Sequence, residues 1–227
     1  MINLYSKRII PFLLFALFSF IAKSQITTPR TPSPASSVSQ TIGISVVTVN
    51  YSRPSVKGRE IWGKLVPYGF TDLGFGTSKA APWRAGANEN TTIKFSHDAK
   101  VEGKMIPAGE YGLFFIVNPD NTGEQILSKD NRSWGSFWYD ENHDLMRTKI
   151  QLRDAPFTEM LTYDFINNTK TSSELVLNWE KKQIPVKIEF DVDAIVIANA
   201  MEELKGPKGF NWQGYSSAAN YALQNTL

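Results

Sequence analysis

The chain has 227 residues, contains no cysteine and carries a formal net charge of +2 at neutral pH. The lack of cysteine excludes disulfide bonds, thiol catalysis and cysteine-ligated zinc. About 200 residues are enough for one large domain with a complete hydrophobic core, so the fold requires no covalent staple.

The N-terminal segment has the pattern of a secretory signal peptide. Lys7 and Arg8 precede an uncharged apolar run from Ile9 to Ala22, and small residues then lead to Gln25. The run is shorter than the roughly 20 apolar residues that a membrane-spanning helix needs. We therefore expect residues 1–24 to be removed. The mature protein would have no membrane span and would be exported to the periplasm or the cell surface.

Removal of this segment would also change the charge of the chain. Residues 1–24 contain three basic residues and no acidic ones, so the mature chain would carry a net charge of −1. The apparent basicity therefore belongs to the signal peptide, and no cluster of Lys and Arg indicates a nucleic acid partner.

The body of the chain has the pattern of an all-β domain. Residues 25–37 are rich in Pro, Ser and Thr, which predicts a flexible lead-in. From residue 38 to residue 192, short runs alternate apolar and polar residues, and Gly, Pro, Asn and Asp separate them. The clearest runs are VVTVNY, NTTIKF, LTYDF, ELVLNW and IPVKIEF. We predict an antiparallel β-sandwich, with a jelly-roll arrangement left open.

Two turns and one central strand can be predicted within this domain. VEGKM around Gly103 and NPDNTG from Asn118 to Gly123 have the residue chemistry of hairpin turns. YGLFFIV, residues 111–117, is apolar at both odd and even positions. We therefore expect a central strand that is covered on both faces.

Residues 193–227 predict a short helical appendage. Asp191 or Asp193 would cap the first helix, and Gly206-Pro207 would end it. The predicted apolar face of that helix contains Ala194, Ile197, Ala198, Met201 and Leu204. We expect this tail to cover YGLFFIV and so to stabilise the sandwich.

One candidate site lies at WRAGANENTTIKF, residues 83–95. Continuing the alternation of the neighbouring strands places Arg53 and Glu89 on the buried face, where an unpaired charge is costly. An ion pair between them, or with Arg84, would solve this problem. The pair could simply close one end of the sandwich, or Arg53, Arg84, Asn88 and Glu89 could line a polar pocket.

A second candidate site lies at SKDNRSWGSFWYDENHD. If Ser133 to Asp140 is extended, Trp134 and Trp138 share a face about 13 Å apart, with Tyr139 beside them. Such a pair could stack on a glycan or hold a peptide. The alternative is that one indole belongs to the core and the other covers a loop.

The ordered motifs of the chain resemble domain-of-unknown-function family 2911. They are SPASSVSQTIGISVVTVNYSRPSVKGREIWGKLVPYG, WRAGANENTTIKF, GKMIPAGEYGLFFI, SKDNRSWGSFWYDENHDLMR and LVLNWEKKQIPVKI, which together span roughly Pro34 to Phe190. Members of that family are exported proteins of Gram-negative bacteria with no assigned activity. The resemblance therefore implies export and domain extent, but no chemistry. Residues 70–82, FTDLGFGTSKAAP, depart from the pattern as an insertion.

Catalytic and metal-binding motifs find little support. The sequence has no G-x-S-x-G, no Gly-rich phosphate loop and no H-E-x-x-H. His97 and His143 are each followed by Asp, but both lie in polar turn contexts, which favours solvated side chains over a metal site. We predict no catalytic residue, no cofactor and no metal.

Two function classes remain open. The first is a non-catalytic exported module that binds an unknown small ligand, glycan or peptide, or acts as a scaffold. The second is a metal-independent hydrolase with Glu89 as acid/base. We favour the first, with the following candidate ligand-binding residues: Arg53, Arg84, Asn88, Glu89, Trp134, Trp138 and Tyr139.

Overall fold

The structure is a computed structural model that describes residues 28–29 and 32–225. The predicted signal peptide and its cleavage site lie outside the described residues, as do residues 25–27, 30 and 31 of the predicted lead-in. The architecture below is that of the compact unit that begins at residue 31. No described helix is long and apolar enough to cross a membrane.

The described residues form ten strands in two antiparallel sheets. In chain order the strands are β1 (Ala35–Ile42), β2 (Ser45–Ser52), β3 (Thr92–Phe95), β4 (Ala99–Val101), β5 (Lys104–Ile106), β6 (Gly109–Val117), β7 (Thr122–Ser128), β8 (Asp144–Gln151), β9 (Arg153–Ile166) and β10 (Ser172–Glu189). The first sheet has the order β1-β2-β3-β6-β7-β8, and the second has the order β5-β4-β10-β9.

Inward-facing residues of both sheets form one continuous core. Val47, Val49 and Tyr51 on β2 are buried, and Leu161 and Tyr163 on β9 are buried in the same cluster. This alternation of buried and solvent-facing positions is what the sequence pattern predicts for strands with one buried face. The prediction of an all-β sandwich with a helical appendage is confirmed.

Strand β1 begins at Ala35, inside the range that was predicted as a flexible lead-in. It pairs along its whole length with β2, and Arg53 N donates to Pro34 O at 2.9 Å just beyond the strand. The first strand residues are small or polar, so an apolar alternation does not mark them. Backbone pairing with β2, rather than side-chain burial, sets this boundary.

Strand β10 changes its inward parity part-way along. Odd-numbered apolar residues from Leu175 to Trp179 are buried before the change, and even-numbered ones from Ile184 to Ile188 are buried after it. The pairing with β9 shifts register on both sides of Glu180, whose φ is 54°. Such a shift is a β-bulge, which re-aims neighbouring side chains. The two alternating runs of the sequence are therefore one strand of 18 residues.

Strand β6 is central in the first sheet, and every residue from Tyr111 to Val117 is buried. This confirms the predicted two-sided cover. The predicted identity of the cover is wrong, because the outer side chains Phe114 and Ile116 pack with Tyr139 instead of the tail. The Tyr139 ring lies 5.5 Å from the ring of Phe114.

Both predicted hairpin turns are present. Glu102 and Gly103 connect β4 to β5 with φ values of 47° and 78°. Two successive left-handed residues are the mark of a tight type I′ turn, and glycine adopts that conformation without steric cost. In the β6–β7 turn, the Asp120 carboxylate accepts a hydrogen bond from Thr122 N at 3.0 Å.

The tail forms helix α1 (Val192–Glu203), a 3-10 turn (Pro207–Phe210) and helix α2 (Trp212–Gln224). Asp191 caps α1 by accepting a hydrogen bond from Ala194 N at 3.2 Å, as predicted.

The predicted inward face of α1 is wrong. Val192, Ile195 and Val196 pack against the core, whereas Met201 is 66% exposed. Residues 194–198 are apolar on all sides of the helix, so periodicity could not select the face that meets the sheets.

Candidate functional site

Residues 84–90, hereafter the RAGANEN loop, interrupt the pairing between β3 and β6. The register of that pairing, continued ahead of β3, would place Glu89 opposite Phe115. Instead Trp83 forms the bridge to Phe115, with two backbone hydrogen bonds of 2.9 Å. The chain therefore leaves the sheet over the RAGANEN loop, and Trp83 takes the inward position that was predicted for Glu89.

Two buried hydroxyl groups hold the RAGANEN loop in place. Ala85 O accepts hydrogen bonds from Thr91 Oγ1 at 3.1 Å and from Tyr163 OH at 2.9 Å. Burial raises the pKa of Tyr163 well above its ordinary value, so this hydroxyl remains a neutral donor. Ala85 and Asn88 have φ values of 53° and 64°. Left-handed conformations are uncommon for residues other than glycine and cluster at functional sites.

The RAGANEN loop contributes to the lining of a cleft with a volume of about 490 Å³, hereafter the Arg84 cleft. Most of the other lining residues are apolar and include four prolines, two leucines and two tryptophans. The charged residues among them are Lys57, Arg59 and Arg84, and all three are basic. Clefts of this size and apolar character are typical of small-molecule sites.

Three tryptophans pack against one another beside the Arg84 cleft. Trp83 and Trp179, which both line it, stack with ring centroids 6.0 Å apart and planes 15° apart. Trp62 meets these rings edge-on at 5.7 Å and 6.2 Å. Offset stacks and edge-on contacts are the favourable arrangements of aromatic rings. The bulge in β10 directly follows Trp179 and fixes the position of its ring. The three packed tryptophans form one wall of the cleft, which Trp83 and Trp179 line.

Two buried polar groups that line the cleft lack hydrogen-bond partners. Ser136 and Trp179 are each 1% exposed, and within residues 32–225 neither Ser136 Oγ nor Trp179 Nε1 has a partner. A buried polar group without a partner costs about 1–3 kcal/mol, and native structures contain few of them.

Arg84 is the best-placed charged group of the cleft. Its Nη1 donates to Asn88 O at 2.7 Å, and its Cζ lies 5.0 Å from the centre of the Phe137 ring. The guanidinium passes so close to Gly135 that any side chain there would collide with it.

No carboxylate in the described part of the chain forms an ion pair with Arg84. Burial lowers the pKa of the Arg84 guanidinium, which nevertheless stays charged because arginine starts from a very high value. Among the described residues, one of its five donors has a hydrogen-bond partner, Asn88 O.

Comparison with protein families shows to which family this chain belongs. A model of a protein family of unknown function, DUF2911, matches residues 33–188. The chain belongs to the DUF2911 family. Neither a curated protein nor a solved structure matches it. The DUF2911 match contains every described residue that lines the Arg84 cleft except Pro32, and it ends before helix α1.

Within the DUF2911 domain, the predicted buried cluster of Arg53, Arg84 and Glu89 is wrong. Arg53 donates from Nε to Leu161 O at 3.0 Å and from Nη2 to Thr162 Oγ1 at 2.6 Å, which ties the end of β2 to β9. Glu89 is exposed and lines a separate groove beside β1 and β2. The loop excursion is the physical reason, because the strand alternation stops before it reaches Glu89.

The RAGANEN loop divides the predicted residues of the first candidate site. Arg84 and Asn88 line the Arg84 cleft, whereas Arg53 and Glu89 do not. Asn88 contributes its backbone oxygen to Arg84 and donates from Nδ2 to Ser33 O at 3.2 Å. Two of the four predicted residues therefore line the cleft, and the parity argument that grouped them with Arg53 and Glu89 fails.

The second candidate site does not form as predicted. Residues 133–138 form a bend and a turn instead of an extended segment, and Gly135 within the turn has a left-handed φ of 60°. Trp134 and Trp138 are 47% and 42% exposed, and neither lines the Arg84 cleft. Trp138 packs edge-on against Phe75 and Phe137, with ring centroids 5.7 Å and 6.0 Å apart.

Tyr139, the third residue of that site, belongs to a buried polar cluster with Asp144 and Arg147. Tyr139 OH donates to Asp144 Oδ2 at 2.7 Å, and Arg147 donates to the same oxygen from Nε at 2.6 Å. Arg147 also donates from Nη2 to Tyr139 OH at 2.7 Å. Burial, followed by the hydrogen bond to Asp144, raises the pKa of Tyr139. These hydrogen bonds join β8, which contains Asp144 and Arg147, to Tyr139, the side chain that covers the outer face of β6.

The two histidines lie apart from any cluster that could hold a metal. Nδ1 of His97 contacts Ser96 Oγ at 2.9 Å, and Nδ1 of His143 contacts Asp130 Oδ2 at 2.7 Å. Among the described residues, no three His, Asp or Glu side chains are grouped as metal ligands.

Sequence reasoning missed Trp83, Trp179 and Ser136 as residues of the cleft. The change of parity after Trp179 was visible and could have indicated a bulge, which often marks a functional position. Trp83 adjoins Arg84 but was not singled out. Nothing in the sequence pattern distinguishes Ser136 from its neighbours.

Proposed function

We propose that this DUF2911 protein is an exported, non-catalytic binding module that holds a small ligand in the Arg84 cleft. The observation that carries the proposal is an apolar cleft of about 490 Å³ that is lined by Arg84, a partly buried cation with which no described carboxylate forms an ion pair. A ligand that supplies acceptors to Arg84 would offset the free-energy cost of desolvating this cation.

The cleft is also preorganised for binding. Ala85 is held by two hydroxyl groups, and the three indoles pack into a rigid wall. Preorganised walls reduce the entropy that a ligand loses on ordering its site. The hydrolase hypothesis gains no comparable support, because Glu89 lines a different groove and is exposed.

The proposal can be tested by a thermal-shift screen of glycans, peptides and small molecules. Each compound is compared on the wild type and on Ala87→Trp, which fills the cleft from a half-buried position in the RAGANEN loop. Ala108→Trp, at an exposed alanine outside the cleft, is the matched control. A ligand at 100 times its Kd stabilises the native state by about 2.7 kcal/mol, which the melting temperature will report.

We expect compounds that stabilise the wild type and Ala108→Trp but not Ala87→Trp. Compounds that stabilise all three proteins equally would place the site elsewhere and overturn the proposal, as would a screen without any stabilising compound. Export is tested separately by the intact mass of the secreted protein, which should begin at Gln25. Retention of Met1 on the exported protein would contradict the proposed processing.

A further inference from the structure

We infer that the Arg84 cleft takes an organic carboxylate with an apolar body, seated with its carboxylate on Arg84. This inference rests on the proposed function and adds the chemical class of the ligand. Three independent features of the cleft point to it: its charge, the unused donors of Arg84 and the apolar residues at its rim.

The charge of the lining selects an anion. Lys57, Arg59 and Arg84 are the charged groups among the described lining residues, and no carboxylate is present to balance them. Arg59 donates from Nε to Val56 O at 3.1 Å and from Nη2 to Ser55 O, and it is exposed. Arg84 is half-buried whereas Lys57 and Arg59 are exposed, so an incoming anion gains most at Arg84.

The geometry of Arg84 selects a carboxylate. The guanidinium lies close to Gly135, its Cζ is 5.0 Å from the centre of the Phe137 ring, and one of its donors is used by Asn88 O. A fixed planar fork of donors matches the two oxygens of a carboxylate in a bidentate pair.

The rest of the lining selects an apolar body. Leu65 and Leu73 line the cleft although they are 43% and 37% exposed, and Trp83 and four prolines also belong to the lining. Apolar side chains left exposed in a concave site favour a ligand that covers them, at roughly 25 cal/mol per Å² of apolar surface.

The experiment uses two matched pairs of probes and isothermal titration calorimetry. The pairs are 2-naphthoate with 2-naphthamide and octanoate with octanamide, so that each acid has a neutral counterpart of nearly the same shape. The naphthyl pair tests a flat body and the octyl pair a flexible one. We expect at least one acid to bind about tenfold or more tightly than its amide, since a hydrogen bond to a charged group is worth about 1.5–3 kcal/mol.

Arg84→Gln should remove the difference between acid and amide, and Arg84→Lys should retain part of it. Arg132→Gln, an exposed arginine outside the cleft, makes the same change in net charge and should leave the difference intact. The thermal unfolding midpoint of each unliganded variant confirms that it is folded. Added salt should weaken binding of the acid but not of the amide.

Each other outcome overturns the inference and is distinct from failure of the proposed function. Acid and amide could bind the wild type equally and both fail to bind Ala87→Trp. The cleft would then remain a binding site, but recognition of a carboxylate by Arg84 would be excluded. An acid–amide difference that persists in Arg84→Gln would show that the carboxylate lies elsewhere. Binding of no probe would reject this ligand class, while the screen with Ala87→Trp would still decide whether the cleft binds anything.

Discussion

Arg84 and Arg147 are two partly buried cations of the same domain with opposite surroundings. Each lies against an aromatic ring, with Cζ 5.0 Å from the centre of Phe137 for Arg84 and 5.5 Å from the centre of Phe70 for Arg147. Arg147 also binds the Asp144 carboxylate at 2.6 Å, whereas no described carboxylate pairs with Arg84.

The pKa values of the two arginines follow this difference. Burial lowers the pKa of Arg84 and nothing nearby opposes it. Burial also acts to lower the pKa of Arg147, but the hydrogen bond to Asp144 and the nearby negative charge raise it overall. The comparison teaches that a partly buried cation paired with a carboxylate serves the fold, while one without such a pair points to a ligand.

The largest expected change in the free energy of unfolding follows substitution of Arg147. Arg147→Met should lower the free energy of unfolding by about 3 kcal/mol, because the Asp144 carboxylate would remain buried without its cation. Only 9% of the Asp144 side chain is exposed. Urea denaturation at pH 7 measures the change.

Arg153→Met is the control for this prediction. Arg153 pairs with Glu174 at 2.6 Å, but half of its side chain is exposed, so the substitution should cost less than about 1 kcal/mol. If Arg147→Met costs no more than Arg153→Met, the Arg147 cluster does not serve the fold.

The second prediction concerns the unpartnered hydroxyl in the cleft. Ser136→Ala should raise the free energy of unfolding of the unliganded protein by roughly 1 kcal/mol, because it removes a buried group that has no partner. Ser173→Ala is the control at equal burial. Its hydroxyl donates to Asn168 Oδ1 at 2.6 Å, so that substitution should cost about 1 kcal/mol. Denaturation curves in which both substitutions destabilise equally would contradict the unpaired state of Ser136.

The third prediction returns to Arg84. Arg84→Met should change the free energy of unfolding by less than about 1 kcal/mol, since the loss of one hydrogen bond and the ring contact is offset by relief of a desolvated charge. The same urea experiment compares it directly with Arg147→Met. A loss for Arg84→Met as large as that for Arg147→Met would remove the distinction between the two arginines.

The smallest effect is a pH dependence near the Arg147 cluster. The hydrogen bond from His143 to Asp130, followed by the Asp130 charge, raises the pKa of His143 in the folded protein. The folded state then binds more protons than the unfolded state. The stabilisation is therefore fully present below the unfolded pKa of about 6.5 and is lost as pH rises through the folded value.

His143→Gln should flatten this dependence above about pH 6.5. His97→Gln, whose ring faces Ser96 and not a carboxylate, should retain it. Denaturation midpoints at several pH values provide the measurement. An unchanged pH profile in His143→Gln would show that the pair with Asp130 does not contribute. Neither arginine titrates in this range, so the comparison between them is unaffected.

The sequence predicted the sheets better than the site because strand alternation is local. Runs such as Val47 to Tyr51 and Leu161 to Phe165 identified buried faces that the structure confirms. The two hairpin turns and the central position of β6 followed from equally local residue chemistry. Which element covers the outer face of β6 could not be predicted in this way, because the cover comes from Tyr139, distant along the chain.

The position of the site residues depends on the places where the alternation of buried and exposed residues is interrupted. The parity count failed at Glu89 because the chain leaves the sheet ahead of β3 and Trp83 takes the position opposite Phe115. The bulge at Glu180 likewise sets the position of Trp179 beside Trp83. Such breaks bring together residues that are distant in sequence. The alternation of polar and apolar residues along a strand contains no information about which distant residues will meet.

The packing of Trp62, Trp83 and Trp179 also has an optical consequence. Indole rings 6.0 Å apart with nearly parallel planes are close enough for their electronic transitions to couple, and the edge-on ring of Trp62 extends the coupled group. Circular dichroism in the aromatic bands should therefore contain a contribution from the triad that isolated tryptophans such as Trp212 would not give. A molecule that enters the Arg84 cleft and shifts Trp83 would change that contribution. Aromatic circular dichroism would therefore report binding in the cleft without an added label.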